Sequence, residues 1–234
     1  MNEDKLNKIL QEHKRWLEGL PSGKQADLRD ADLRNADLYG AHLYGADLRD
    51  ADLRNAKLRD AYLPNADLRG VDLRGADIRN AVLRGADLQD ADLRHAKLQC
   101  ANLQDADLRY AILRSADFRH GKLQCADLRG ADLQGADLRD ANLRGVNLQD
   151  ANLDFSCWPL WCGSLDVKVD VRIARQLAYH FCRLDCDDPE YQAARKAIKD
   201  FANKFHRVKE CREIKTNDQM QDRMNELLKG EDNE

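Results

Sequence analysis

Carboxylates and guanidiniums dominate the side chains able to do chemistry. Between residues 26 and 153 there are 22 Asp and 19 Lys or Arg, nearly all at fixed offsets of a five-residue rhythm. Such a lattice is not a set of paired catalytic acids, because it repeats along a convex surface that offers no cleft. The six His have no Ser or Cys partner at a suggestive spacing along the chain, and there is no phosphate loop, nucleophile elbow or zinc-protease motif. Seven Cys is an odd number, so at least one thiol is unpaired. Cys157 and Cys162 lie five apart, Cys182 and Cys186 share a helical face with His180, and Cys211 follows later. Four such thiols would suffice for a structural zinc, but no C-x-x-C pair is present, and helical cysteines commonly serve as small buried apolar groups. Cys100 and Cys125 occupy the fifth position of their repeats and are expected to be exposed, ordinary thiols. The expectation is a protein that is not an enzyme and holds neither cofactor nor metal.

The element that positions these residues runs from Ala26 to Leu153. One five-residue phrase is repeated 26 times without interruption, as A-D-L-R-D, A-D-L-R-N, A-D-L-Y-G and so on. A small residue, Ala except at Val71, Gly121 and Val146, begins each repeat; two residues later comes Leu, replaced only by Ile78 and Phe118. On an α-helix the leucines would spiral around every face, since a five-residue step rotates by ~500°. On a flat strand they would alternate sides. Both inward positions stay inward only if the chain turns a corner every five residues, giving a solenoid with the coil interior as its core. Within it, Phe118 is followed by Gly121, a larger ring beside a missing methyl, as a filled interior requires.

The A-[DN]-L-x-x motif resembles that of the pentapeptide repeat family. The resemblance implies a mainly β fold: a right-handed quadrilateral β-helix with four repeats per coil, about 20 residues per turn and ~31 Å tall at ~4.8 Å per coil. Three segments follow: an N-terminal capping helix over residues 1–25, the β-helix over 26–154, and a hydrophobic plug with a helical C-terminal segment over 155–234.

Assigning repeats to four faces in rotation stacks residues 20 apart. Face one carries Asp27, Asp47, Asp67, Asp87, Asp107 and Asp127, with Arg29, Arg49, Arg69, Arg109 and Arg129 beside them, and is the most acidic. Faces two and three balance acids against bases. Like charges stacked every ~4.8 Å repel by about 1 kcal/mol per pair even in water, so adjoining Asp and Arg columns are expected to cancel. Face four differs. Its first outward column reads His42, Tyr62, Val82, Asn102, Lys122, Asn142, and its next begins Tyr44, Pro64, Arg84, while Tyr39 lies round the corner. Apolar and aromatic residues gathered on an otherwise charged surface are a candidate contact site, the alternative being drift at tolerant surface positions.

Upstream, Leu6, Ile9, Leu10, His13, Trp16 and Leu17 share one helical face, and Gly19 and Pro21 end the run. The expected role is a lid over the open first coil. Downstream, Trp158 and Trp161 are expected to plug the last coil. An amphipathic helix follows from about Asp170 with Ile173 and Leu177 inward, then a second opening at Asp188, Pro189 and Glu190 with Ala194, Ile198, Phe201, Phe205 and Val208 inward, then a third from Thr216.

The formal net charge is −4, with no strongly basic segment, which argues against direct nucleic-acid binding. No apolar run reaches a membrane span and no signal layout opens the chain, so a cytoplasmic location is expected. A capped rod with patterned faces suits a protein partner, and a homodimer through the tail or face four is open. Some pentapeptide repeat proteins imitate duplex DNA and occupy DNA gyrase or other DNA-handling enzymes, and the opening helix, W-P-L-W-C-G-S and helical tail resemble phage and prophage members. The resemblance therefore implies an inhibitor of a DNA-handling or defence enzyme by partial DNA mimicry. Two features depart from it, since Arg offsets most of the Asp charge and no looped insertion interrupts the repeats. The candidate contact residues are Asp47, Asp67, Asp87, Asp107, Asp127, Tyr39, Tyr44 and Tyr62. The alternatives are an anion or nucleotide binder using Arg34, Arg54, Arg74 and Arg94, or a scaffold acting through its helical tail.

Overall fold

A computed structural model describes residues 1–157, 167–182 and 188–203. They fall into two compact units, Met1–Lys168 and Val169–Glu234.

The first unit is the column. Parallel bridges join residues 20 apart on all four sides, from Asp27 with Asp47 to Asp137 with Cys157. Each side is reduced to a single bridging residue, because three of every five residues are extended and the other two make the corner. The hydrogen bonding accounts for every amide of a repeat. In the repeat Asp47 to Ala51, Asp47 donates to Ala26 O one coil back at 3.0 Å, while Leu48 and Asp50 donate to Asp67 O and Arg69 O one coil on, at 2.8 and 3.0 Å. Ala51 closes the corner onto Leu48 O at 3.2 Å. The remaining amide, that of Arg49, donates to the Asp47 side chain at 3.3 Å. Asp or Asn at the second position therefore completes the backbone as an Asx turn, besides carrying charge.

The fifth position has a second role that the sequence reading missed. At all 26 corners this residue has a positive φ, as at Asp30 (54°), Asn35 (58°) and Gly40 (60°), with a hydrogen bond from the next residue to the Leu two before, the geometry of a type II turn. Asp, Asn and Gly supply most corners because they tolerate the left-handed region. His95, Cys100, Tyr110, Ser115, His120, Cys125 and Phe155 occupy it without that advantage.

The interior is apolar and almost wholly aliphatic: Leu33, Leu53, Leu73 and Leu93 stack in register and are buried, as is the one aromatic ring, Phe118. A Cβ added at Gly121 would meet Phe118 O at 2.8 Å and Leu123 Cδ1 at 3.4 Å, so the space of the missing methyl adjoins the turn carbonyl and Leu123 rather than the Phe118 ring.

At the bottom, α1 (Glu3–Leu17) is capped by Asn2, whose side chain accepts from Lys5 N at 2.9 Å. It ends in a Schellman motif: Gly19 at φ +69° donates to Trp16 O at 3.0 Å and Leu20 to Arg15 O at 2.9 Å. Leu6 and His13 are buried; Trp16 and Leu17 are not. His13 Nδ1 accepts the Ala26 amide at 3.0 Å, which seats the helix on the first repeat. Gly23 passes so close to the helix that a Cβ there would lie 2.2 Å from Trp16 N. Under this lid Leu28, Leu33, Leu38 and Leu43 are buried, whereas Ala31, Ala36 and Ala41 stay half-buried.

At the top, a corner at Phe155 and a bridge to Cys157 carry the ladder past the point where the sequence rhythm breaks. Lys168 then returns to pair with Asn147, donating to Val146 O and accepting from Leu148 N at 2.8 and 2.7 Å. The expected Trp158 and Trp161 plug lies outside the described residues.

The second unit contains α2 (Val171–Phe181), capped by Asp170, and α3 (Pro189–Ala202), whose amides at Glu190 and Tyr191 donate to the Asp188 side chain at 2.9 and 3.0 Å. They meet through Cys182 and Ala202, with Ala178 and Ile198 packed alongside, and Arg195 Nε donates to Cys182 O at 2.9 Å. Ala194, expected inward, is exposed because the contact centres on Ile198 and Ala202, one turn later. Phe205, Val208, the third helix, Cys162, Cys186 and Cys211 lie outside the described residues. Among the described residues no helix is long and apolar enough to cross a membrane, and no His, Cys, Asp and Glu cluster is arranged to hold a metal ion.

Candidate functional site

The repeat that builds the column also consumes most of its charge. Arg49 donates from Nε and Nη2 to the two oxygens of Asp47 at 2.9 and 2.7 Å, and its Nε lies 3.4 Å from Asp67 on the next coil. The same ladder runs up face one, where Arg69 joins Asp67 and Asp87 and Arg109 joins Asp107 and Asp127. Asp87 is also held by Gln89 at 3.0 Å, since no Arg follows it there. The paired guanidiniums hold the Asp47 and Asp67 carboxyls below the usual carboxylate range, and Arg29 brings Asp27 down to about 2. At Asp127 burial opposes the shift and the Arg129 pair outweighs it. Each carboxylate of the column already faces a cation.

Face two follows the same rule. Arg54, Arg74 and Arg94 border a shallow depression of about 330 Å³ with Asn55, Gly75 and His95. The fork of each guanidinium is closed on Asp52, Asp72 or Asp92 at 2.6 to 2.9 Å. A phosphate would have to displace a bidentate carboxylate to be gripped there.

Face four escapes the lattice because its second-position column, His42, Tyr62, Val82 and Asn102, contains no Asp to recruit Arg. A groove of about 520 Å³ opens over it, lined by Tyr44, Tyr62, Pro64, Asn65, Val82, Arg84, Gly85, Asn102 and Asp105. Tyr44 and Tyr62 are each 40% exposed, and the Tyr44 hydroxyl lies 3.5 Å from Asn65 Nδ2. Arg84 and Asp105, 3.8 Å apart, give the groove a polar rim. Below it the His42 and Tyr62 rings sit 5.6 Å apart, and His42 also borders a second hollow of about 630 Å³ against Leu10, Lys14 and Leu17 of α1. Tyr39 is 65% exposed and is not among the residues lining either hollow. The structure thus brings Tyr44 and Tyr62 into one surface, keeps Asp47 to Asp127 in a separate column, and adds Pro64, Val82 and the α1 hollow. The signal for that addition was the missing Asp at every fourth repeat.

Cys100, Cys125 and Cys157 are free and exposed; Cys182 is free and buried, and burial pushes its thiol up.

Models of pentapeptide repeats match eight copies over residues 24–55, 46–85, 86–124 and 122–154. Comparison with curated proteins finds no match. Among solved structures the chain is similar to the pentapeptide repeat protein Rfr23 from the cyanobacterium Cyanothece 51142, at 33% identity and a TM-score of 0.30, covering 42% of this chain and 60% of that one. It is similar to HetL from Nostoc sp. strain PCC 7120, involved in heterocyst differentiation regulation, at 36% identity and a TM-score of 0.31 over 62% of this chain and 71% of that one. Full-length QnrB1, a plasmid-mediated fluoroquinolone resistance protein, aligns at 21% identity and a TM-score of 0.30 over 64% of this chain and 85% of that one. The chain spans less than two thirds of Rfr23 and more of the other two. With more than half its length matched by the repeat models and a four-sided ladder built on their period, this chain is a member of the pentapeptide repeat family.

Proposed function

We propose that the protein acts by binding a protein partner through face four, without turnover. The observation that carries this reading is the groove beside Tyr44 and Tyr62, where half-exposed aromatic rings with a polar rim interrupt a surface dominated by paired Asp and Arg columns. Buried aromatics supply much of the energy of protein interfaces, and a rigid scaffold presents them at little entropic cost. A partner whose own function involves DNA suits a stiff column of this kind, and inhibition of a DNA-handling or defence enzyme is the concrete form of the proposal. The Asp column would then assist by long-range attraction, with its local charge offset by Arg49, Arg69 and Arg109.

The experiment is affinity capture from an extract of the native host, quantified by mass spectrometry for three baits. These are the unaltered chain, Tyr44→Ala with Tyr62→Ala, and Asp47→Asn with Asp67→Asn, Asp87→Asn and Asp107→Asn. The proposal expects a protein lost from the tyrosine bait and retained by the aspartate bait. Loss only from the aspartate bait would point to charge mimicry by face one, and retention by both would move the interface to the helical tail.

A further inference from the structure

The lid over the first coil hangs on a hydrogen bond that a proton breaks. His13 Nδ1 accepts the Ala26 amide at 3.0 Å, so this nitrogen carries no hydrogen and the neutral ring keeps its one proton on Nε2. An imidazolium carries hydrogen on both nitrogens, which sets Nδ1–H against the Ala26 N–H. The ring is fully buried and stacked on Trp16, so water does not take over the lost bond. The charged groups around it offer no rescue. His42 faces it from the first coil and adds like charge when protonated. Asp27, beside Ala26, is held by Arg29 at 2.7 Å. Glu12 and Lys14 flank His13 on α1 with opposite charges, and Lys24 of the linker bonds the helix through its amide, to Glu12 O at 3.0 Å.

Behind the lid lies an edge built for pairing. In the later coils the second residue of a repeat uses both backbone groups on the coil below, as Asp47 donates to Ala26 O and accepts from Leu28 N. The first coil has no coil below it. The amides of Asp27, Asp32, Asp37 and His42 and the carbonyls of Asp27, Asp37 and His42 bond to no described residue, and Asp32 O takes only the Met1 amino group. All four residues are exposed, with Leu28, Leu33, Leu38 and Leu43 buried behind them. A residue offering N–H and C=O on the same side pairs antiparallel with its own equivalent through two reciprocal bonds. Two columns set mouth to mouth about a two-fold axis meet that condition, and such an isologous contact closes on itself. With α1 across the mouth they cannot meet.

We infer that α1 is a proton-released lid and that the first coil behind it is a docking edge for a second copy of this chain. Protonation of His13 frees α1, and the two uncovered edges join into one longer column.

The test uses the full chain at pH 8 and pH 5, with light scattering for mass and amide hydrogen exchange for the lid and the edge. Protection factors in α1 are expected to fall by up to about tenfold for each pH unit below 6.5, while those of residues 46–153 hold. Over residues 26–45 protection should rise at pH 5 as the mass doubles. His13→Gln keeps an acceptor for the Ala26 amide and takes no proton, so at pH 5 its α1 should stay protected and its mass should equal that at pH 8. A doubled mass in His13→Gln would overturn the proposal, and so would a doubled mass in the unaltered chain without added protection over 26–45. Release of α1 with no change in mass, loss of protection throughout the column at pH 5, or an α1 equally protected at both pH values would each overturn it as well.

Discussion

The imidazole of His13 accepts the amide of Ala26 at 3.0 Å with its Nδ1, inside a site where the ring is fully buried and stacked 5.4 Å from Trp16. Its Nε2 has no hydrogen bond of normal geometry, although the Tyr44 backbone lies nearby. The lid is thus fastened to the first coil by a neutral histidine, and burial pushes this group below its usual value of 6.5.

That fastening makes stability depend on pH near neutrality. The folded value is depressed, so the unfolded chain binds more protons as pH falls through 6.5, and stability present above 6.5 is lost below it. The loss is about 1.4 kcal/mol per pH unit until the folded value is reached. Denaturant midpoints between pH 8 and pH 5 should fall in the unaltered chain and less steeply in His13→Gln. Carboxylates contribute in a separate window: Asp27, held at about 2, contributes stability above 3.8 that disappears as pH falls from there toward 2.

Leu93→Asp should abolish cooperative folding at 37 °C, because Leu93 is buried between Leu73 and Leu113 in its stack and a carboxylate there has no partner. Leu93→Ala, which leaves a cavity without a charge, should cost about 2–5 kcal/mol. Thermal melting by circular dichroism distinguishes the two from each other and from an unperturbed column.

Asp67→Asn and Asp67→Ala should differ. The Asp67 side chain accepts the Arg69 amide at 3.3 Å, an acceptor that Asn retains and Ala removes. The alanine variant is expected to be less stable than the asparagine variant by about 1 kcal/mol in urea unfolding. Equal stabilities would mean that the second position acts through charge alone.

The solenoid itself was legible in the chain because two inward positions with a strict five-residue period leave little other choice. The buried Leu33, Leu53, Leu73 and Leu93 stack follows directly from it. The cancelling of Asp by Arg was also readable, since opposite charges two residues apart on an extended side reach one another, as Asp47 and Arg49 do at 2.7 Å. The corners were harder. Asp50, Asn55 and Gly70 look like ordinary surface variety until their positive φ is seen, and the Asx bond from Arg49 is hidden behind the charge of Asp47. Lys168 returning onto Asn147 has no periodic signal at all, because its spacing is 21 residues after an irregular stretch.

Corner strain gives a further expectation. Ser115 holds φ +55° with neither an Asn side chain nor the missing Cβ of Gly to ease it, whereas Gly75 holds +67° with Asn55 Oδ1 only 2.6 Å from where a Cβ would stand. Ser115→Gly should raise stability by up to about 1 kcal/mol, and Gly75→Ala should lower it by about 1–2 kcal/mol. Opposite signs in denaturant midpoints would contradict the turn assignment.

The central claim, binding through face four, is tested most directly by titrating the captured partner with three proteins at low and at physiological salt: the unaltered chain, Tyr44→Ala with Tyr62→Ala, and the fourfold Asp→Asn variant of face one. The account predicts that the tyrosine pair weakens affinity by about 30-fold or more, as two aromatic contacts worth about 1 kcal/mol or more each would. It also predicts that the aspartate variant changes affinity by less than about threefold, with a shallower salt dependence than the unaltered chain. Undiminished affinity in the tyrosine variant, or a large and salt-sensitive loss in the aspartate variant alone, would contradict it.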